Sequence, residues 1–516
     1  MYFLLFYNYG NLTIMKTKYN KDIYLILISF LSFSVISFFT PLNYLLNFAH
    51  DDSFFYLKIV QNIVNGHGIT FDNISSTNGF HPLYLIIITV LFYFLNLSGI
   101  ISSDQQFLAV FIFHLAIIHT ILMMSVLLLR QILDKVHFRI GFPIFLFICL
   151  SFVFIRDYGL ESHLSCLFII AYLLAKNTES SWSHWFVAVI ISGLFLCRTD
   201  YLFSLIPILL ISEIYTNKNI NRYHNFLPSL LLLLLIVFGY YSFNIFYWGH
   251  IQTISGTIIN SFPSVVLLEN INRIFSANSA LLNQGVKLSI FTLMCFVFYF
   301  KKDRSEFESI VMILSIGLLL NCLLHLTFNN HGVREWYMTL PTYVMGIMII
   351  LWTRRFPRIY RQIVLVSFAV LFIGLLYFSR IIYTKWDYAL KYSEYLKANT
   401  LKQDLIYQYD MSGLVSYFSN RNIIDGDGLV SDFNYLNFLR NKNVSQYIKD
   451  KGVNYLSVIN FTGNLFDYNG NYKIRGEDSL FKDLELSHKN LINNYPLVYK
   501  HVTGYNYGSF LLFKIR

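Results

Sequence analysis

Two adjacent carboxylates, Asp51 and Asp52, open the stretch HDDSFFYLKIVQNIVNG directly after a long apolar run. Side by side they repel, which raises the pKa of at least one of them. Such a pair can take a proton from a hydroxyl as a general base, or hold a cation through its oxygens. It can equally serve as an ordinary helix cap, because a helix N-terminus stabilises anions. Helical spacing predicts an amphipathic helix beginning at Asp51 and ended by Gly66, with Asp52, Tyr56, Ile59 and Ile63 near one face.

Other polar groups cluster at the ends of apolar segments: Asp157 and Glu161 in RDYGLES, Arg198 and Asp200 in CRTD, His250 in WGHIQTISG, and His331 and Arg334 in NNHGVREWY. Lys58 and His81 belong to the stretch that Asp51 opens. Each has a plain structural reading beside the functional one. Arg198 can pair with Asp200, and Arg334 with its neighbour Glu335. Lys58 can snorkel to headgroups, and His81, before Pro82, can shape the entry of the next helix. An acid such as Glu161 at the start of a membrane helix needs a reason to be there.

The elements that carry these residues follow from composition. Of 516 residues, 55% are hydrophobic, 18% aromatic and only 13% charged; a soluble chain carries roughly twice that charged share. With a mean hydropathy of +0.51 and repeated uncharged runs, the chain reads as a polytopic α-helical membrane protein. Apolar segments lie near 23–47, 82–103, 105–129, 140–155, 160–175, 184–197, 201–215, 226–247, 286–300, 309–327, 336–353 and 362–379. A cytoplasmic N-terminus (1–22), a membrane domain (23–380) and a small C-terminal α/β domain (381–516) are expected. In the last, 404–410, 453–459 and the terminal FLLFKIR read as strands, and 432–441 and 444–452 as helices. DGDG at 425–428 reads as a turn, since the spaced ligands of a calcium loop do not follow. Met15, followed by basic residues and an apolar helix, reads as the normal start, with the first 14 residues an upstream extension.

The net charge of +10 does not point to nucleic acid, because the cations gather in short connections. One alternating set of connections holds sixteen Lys and Arg, including Lys16, Arg130, Lys301 and Arg354; the other holds five, Lys58, Arg156, Arg198, Arg273 and Arg334. The richer set is expected on the cytoplasmic side, which puts every polar cluster above, and the C-terminal domain, outside. Only 82–103 breaks the alternation if it crosses. A re-entrant or interfacial helix there leaves eleven crossings of twelve segments. The five cysteines lie in or beside apolar segments without CxxC or HExxH spacing, and read as packing residues.

DDSFFYLKIVQNIVNGHGITFD followed by TNGFHPLY resembles the first external loop of membrane glycosyltransferases of the GT-C superfamily. It is similar to bacterial members of the protein mannosyltransferase and aminoarabinose transferase group. NGFHPLY, GLES, WGHIQTISG and SGLVSYFSNRNIIDGDGLVSDFNYL resemble a bacterial branch with a C-terminal periplasmic domain, so the likeness covers most of the chain. It implies a multi-pass protein of the bacterial cytoplasmic membrane, with its catalytic first external loop at 48–82. The implied donor is a polyprenyl-phosphate sugar and the acceptor a glycan, lipid or protein. The family's acidic motif falls on Asp51 and Asp52, with Asp51 favoured as base. The second acid is Asp where related enzymes commonly carry Glu. A further acidic position matches Asp157 or Glu161.

In the implied reaction the base takes the acceptor's hydroxyl proton, attack inverts the anomeric carbon, and the departing phosphate needs cations or donors. Tyr56, Lys58, His81, Arg198, His250, His331 and Arg334 are the expected substrate contacts. Cofactor use stays open, because related enzymes differ; a divalent cation, if used, is expected at Asp51, Asp52 and Glu161. An O-antigen-type polymerase or ligase is the first rival, but such proteins rely on Arg and His in loops far along the chain. A transporter or flippase of lipid-linked sugars is the second. It should carry midplane polar groups or internal repeats, and neither is evident.

Overall fold

The computed structural model describes residues 12–46, 49–97, 106–135, 159–176, 183–216, 222–275, 279–300, 304–353, 387–441, 443–460, 497–502 and 509–515. The expected segments at 140–155 and 362–379, and Asp157, lie outside them.

The membrane portion is a helical bundle of α1 (Leu12–Phe39), α2 (Asp51–Val64), α3 (Pro82–Leu97), α4 (Gln106–Lys135), α5 (Ser162–Lys176), α6 (Ser183–Cys197), α7 (Leu205–Thr216), α8 (Arg222–Trp248), α9 (Ser279–Tyr299), α10 (Glu306–Phe328) and α11 (Glu335–Thr353). Among the described residues, Phe107–Leu129, Phe226–Trp248 and Glu306–Phe328 are long and apolar enough to cross a membrane by length and composition, and shorter apolar helices accompany them. Large apolar side chains on α1, α8 and α9, such as Leu31, Phe238 and Phe296, stand exposed. That is stable only against lipid, since helices satisfy their own backbone groups. The expected helix at 82–103 forms as α3; its 16 residues span about 24 Å at 1.5 Å per residue.

The C-terminal domain comprises α12 (Asp387–Asn399), β1 (Leu405–Gln408), α13 (Ser412–Ser419), β2 (Asn422–Asp425), α14 (Phe433–Arg440), α15 (Val444–Lys451), β3 (Tyr455–Asn460), β4 (Leu497–Val502) and β5 (Ser509–Lys514). The strands form one sheet in the order β2-β1-β3-β5-β4. β1 pairs parallel with β2 and β3, while β5 runs antiparallel to β3 and β4. The period of two splits the strands between two cores. Leu405, Tyr407 and Ile424 face Tyr435, Tyr447 and Ile448 on one side. Ile406 and Ile423 belong to the core on the other side, with Leu414 and Val415 of α13.

That second core is continuous with the core of the bundle. It runs through Phe54, Phe55 and Leu57 of α2 into Leu164 and Ile190. The expectation of a one-sided amphipathic helix at α2 is therefore corrected: Asp51 and every residue from Ser53 to Asn62 are buried. The face that local periodicity assigns to solvent is covered by α13, where Phe54 packs on Tyr417 and Phe418.

Candidate functional site

The site begins where α2 begins. His50 precedes the helix in extended conformation, and its ring accepts from the Asp52 N–H. This leaves the Asp51 side chain free of capping duty on its own helix. Its Oδ1 instead accepts the Leu414 N–H of α13, at 2.8 Å. Burial pushes the Asp51 carboxyl up to about 7, against the Leu414 hydrogen bond and with the help of the Asp52 charge. Asp52 moves the other way. Burial works to raise it, but His50 with Arg334 and His331 holds it below its ordinary value. Two identical neighbours are thus driven apart, one toward neutrality and one toward permanent charge.

More carboxylates approach from the C-terminal domain. The parallel strands β1 and β2 end at Gln408 and Asp425, and Asp410 and Asp427 follow in the connections. Burial, the Asp410 and Asp425 charges, and then Asp52 and Asp51 push Asp427 well above the carboxylate range. The carboxyl ends of the strands therefore meet the amino end of α2.

One helical turn beyond Asp52, Tyr56 donates to Glu161 Oε2 at 3.1 Å. Glu161 Oε1 pairs with Arg198 at 2.8 Å and lies 3.5 Å from His81 Nε2. Arg198 also holds Asp200 at 3.1 Å, and Asp200 is held in turn by His325 at 2.9 Å and by Asn321 at 3.3 Å. The Arg198 guanidinium sits 4.6 Å from the Tyr337 ring centre, which stacks on His325. Burial keeps His81 on the neutral side of its ordinary pKa. The next residue of α11's start, Trp336, packs edge-on against His50, so the network and the acidic pair share one wall.

Of the residues expected from sequence, Asp51, Asp52, Tyr56, His81, Glu161 and Arg198 lie on these connected contacts, and His331 and Arg334 come close enough to act on Asp52. Two do not join them. Lys58 is fully buried, with its Nζ on Gln61 Oε1 at 3.2 Å, because it shares the α2 face of Asp51 and Phe55 that α13 covers. His250 stacks on Phe433 of α14 at 3.8 Å and so helps join loop to domain. Sequence reasoning missed His325 and Asn321, which sit in the last turns of the apolar α10, and Leu414, whose backbone does the work. Among the described residues no group of three or more His, Cys, Asp or Glu is arranged to hold a metal ion; Glu161 already spends its oxygens on Tyr56, Arg198 and His81.

A groove of about 520 Å³ opens between α3, α6 and α8, lined by Phe80, Ile86, Leu196, Leu235, Tyr240 and Trp248 among others. Its lining is nearly all apolar. Its loop end, at Asn78, Phe80 and Pro82, flanks in sequence His81, whose Nε2 lies 3.5 Å from Glu161.

No protein-family model matches the chain, and no curated protein sequence does. Among solved structures, the chain is similar to that titled ArnT from Cupriavidus metallidurans bound to undecaprenyl phosphate, with 8% sequence identity and a TM-score of 0.52. The match covers 95% of this chain and 97% of that one. The likeness runs through both the bundle and the C-terminal domain, and the chain shares that protein's polytopic helical membrane fold.

Proposed function

We propose that this protein is an inverting membrane glycosyltransferase of the outer face of the bacterial cytoplasmic membrane, moving a sugar from a polyprenyl-phosphate donor to a glycan, lipid or protein acceptor. The observation that carries this is the split acidic pair at the start of α2, in a fold shared end to end with a protein solved with undecaprenyl phosphate. An isoprenoid tail suits a groove without charge, and its phosphate would lie at the loop end, near the His81–Glu161–Arg198 cluster.

In this reading Asp51 is the base. A general base works best with a pKa near the working pH, and paired acids with diverging environments mark the acid–base assignment. Asp51 takes the acceptor hydroxyl proton as that oxygen attacks the anomeric carbon, and the bond to the lipid phosphate breaks on the opposite face. Asp52 remains anionic and holds His331 and Arg334 in place, where they can receive the leaving phosphate. Arg198 is already held by Glu161 and Asp200, so its part is to fix Glu161 and Tyr56 below the acids.

Purified protein supplied with a polyprenyl-phosphate sugar tests the reading, and mass analysis of cell-surface glycans with and without the gene names the sugar. Asp51→Asn is expected to abolish transfer while the protein remains folded. Full transfer by Asp51→Asn overturns the assignment of Asp51 as base.

A further inference from the structure

The bond between Asp51 and Leu414 joins residues 363 positions apart, and everything around it is built to hold it. Met411 takes up a left-handed backbone, φ +57°, which a non-glycine residue adopts rarely. Asp410 secures that turn by accepting the Met411 N–H at 2.7 Å. Ser412 anchors the start of α13 to the end of β2 by donating to Asp425 Oδ1 at 2.7 Å. Gly413 is then pressed against α2: a Cβ there would stand 2.6 Å from the Asp51 carbonyl oxygen and 3.1 Å from the Phe55 ring. Further along, Tyr417 donates to the Phe107 carbonyl at 2.8 Å, and Asn73 of the first loop donates to Asn422 at 2.6 Å. Between these contacts the first turn of α13 has no freedom to leave the carboxylate.

We propose that the C-terminal domain is a working part of the active site: the Gly413–Leu414 edge of α13 is the positioning element that orients the Asp51 carboxylate toward the acceptor. This rests on the reading of Asp51 as base. One oxygen is fixed by the backbone N–H and the second is left to accept the acceptor's proton. Gly413 is a positioning residue because only a hydrogen at its Cα allows the amide edge to reach that distance. The N-terminal dipole of α13 adds a field that favours the ionised acid.

The test is the pH dependence of kcat/KM. Gly413→Ala forces the amide edge away from Asp51, and loss of that donor makes the carboxylate harder to ionise. Its acidic limb is expected to move upward by roughly one pH unit, the scale of a lost charge-assisted hydrogen bond, while KM for the lipid donor changes little. Asn422→Ala weakens domain contact away from Asp51 and is expected to leave the limb in place. An unmoved limb in Gly413→Ala, at any overall rate, overturns the proposal, and so does an equal shift in Asn422→Ala. Should Gly413→Ala not fold, hydrogen exchange at the Leu414 amide replaces it. Asp51→Ala is expected to accelerate that exchange, and unchanged protection overturns the proposal. Asp51→Asn separates the two levels: an active Asp51→Asn defeats the base assignment itself, whereas an inactive one with an unmoved Gly413→Ala limb defeats only the positioning role.

Discussion

Asp51 and Asp52 share a residue type, a helix turn and a peptide bond, and differ only in what packs on them. Asp51 faces the C-terminal domain and is lifted to about 7 by burial; Asp52 faces His50 and the Arg334 corner and is lowered. A base must be ionised to act, so kcat/KM is expected to fall about tenfold per pH unit below that pKa and to level off above it. Asp52→Asn should keep an acidic limb but move it to lower pH while reducing the rate, because it removes not the base but a neighbouring charge that helps raise it. The buried Lys58 offers a second titration with a different readout. Burial lowers it from 10.5 to about 7, so between those values the unfolded chain binds more protons than the folded one. Stability is therefore expected to rise with pH across that window and to be flat below it. Thermal unfolding in detergent from pH 7 to 9 should show the slope in the parent protein and not in Lys58→Met, which fills the same space without a charge.

At the scale of elements, the Glu161–Arg198–Asp200–His325 chain ties the start of α5 and the end of α6 to the end of α10. Removing its cation strands the buried Glu161 carboxylate and the half-buried Asp200. Arg198→Met is expected to cost about 3–5 kcal/mol, read as a lowered thermal midpoint, and a triple change that also removes Glu161 and Asp200 should recover part of it. Much of this arrangement was legible beforehand, since His81, Glu161 and Arg198 stand at the edges of apolar runs, where polar groups are conspicuous, and Tyr56 shares the predicted helix face of Asp52. His325 and Asn321 were not, because two polar residues in α10, with its 23 apolar-dominated residues, leave the hydropathy pattern unbroken. In the C-terminal domain, β1, β3, β5, α14 and α15 follow from local alternation and periodicity. α13, no shorter than α14, buries nearly every residue and so shows no one-sided pattern. The misplaced Lys58 and the misjudged solvent face of α2 share one cause: the surface that covers them arrives from a segment more than 300 residues away, which no local pattern encodes.

At the scale of the whole molecule, the packing of the C-terminal domain on the first loop constrains the topology. Gly79 shows how close the two come: a Cβ there would run into the Leu429 carbonyl. Lys451 reaches Ser75 at 3.1 Å, and the Leu414–Asp51 bond lies on the same seam. Loop and domain must therefore lie on one side of the membrane, whichever side that is. From the preference of Lys and Arg for cytoplasmic connections, the cation count, sixteen against five, predicts that they lie outside. One reporter consequently reads both. A phosphatase fused after residue 516, active only outside, is expected to be active, and a cytoplasm-dependent reporter at the same place to be silent. The reverse result would move Asp51, Asp52 and the Glu161 network to the cytoplasmic face together, and with them the proposed site of transfer, because the seam does not allow the domain to change sides alone.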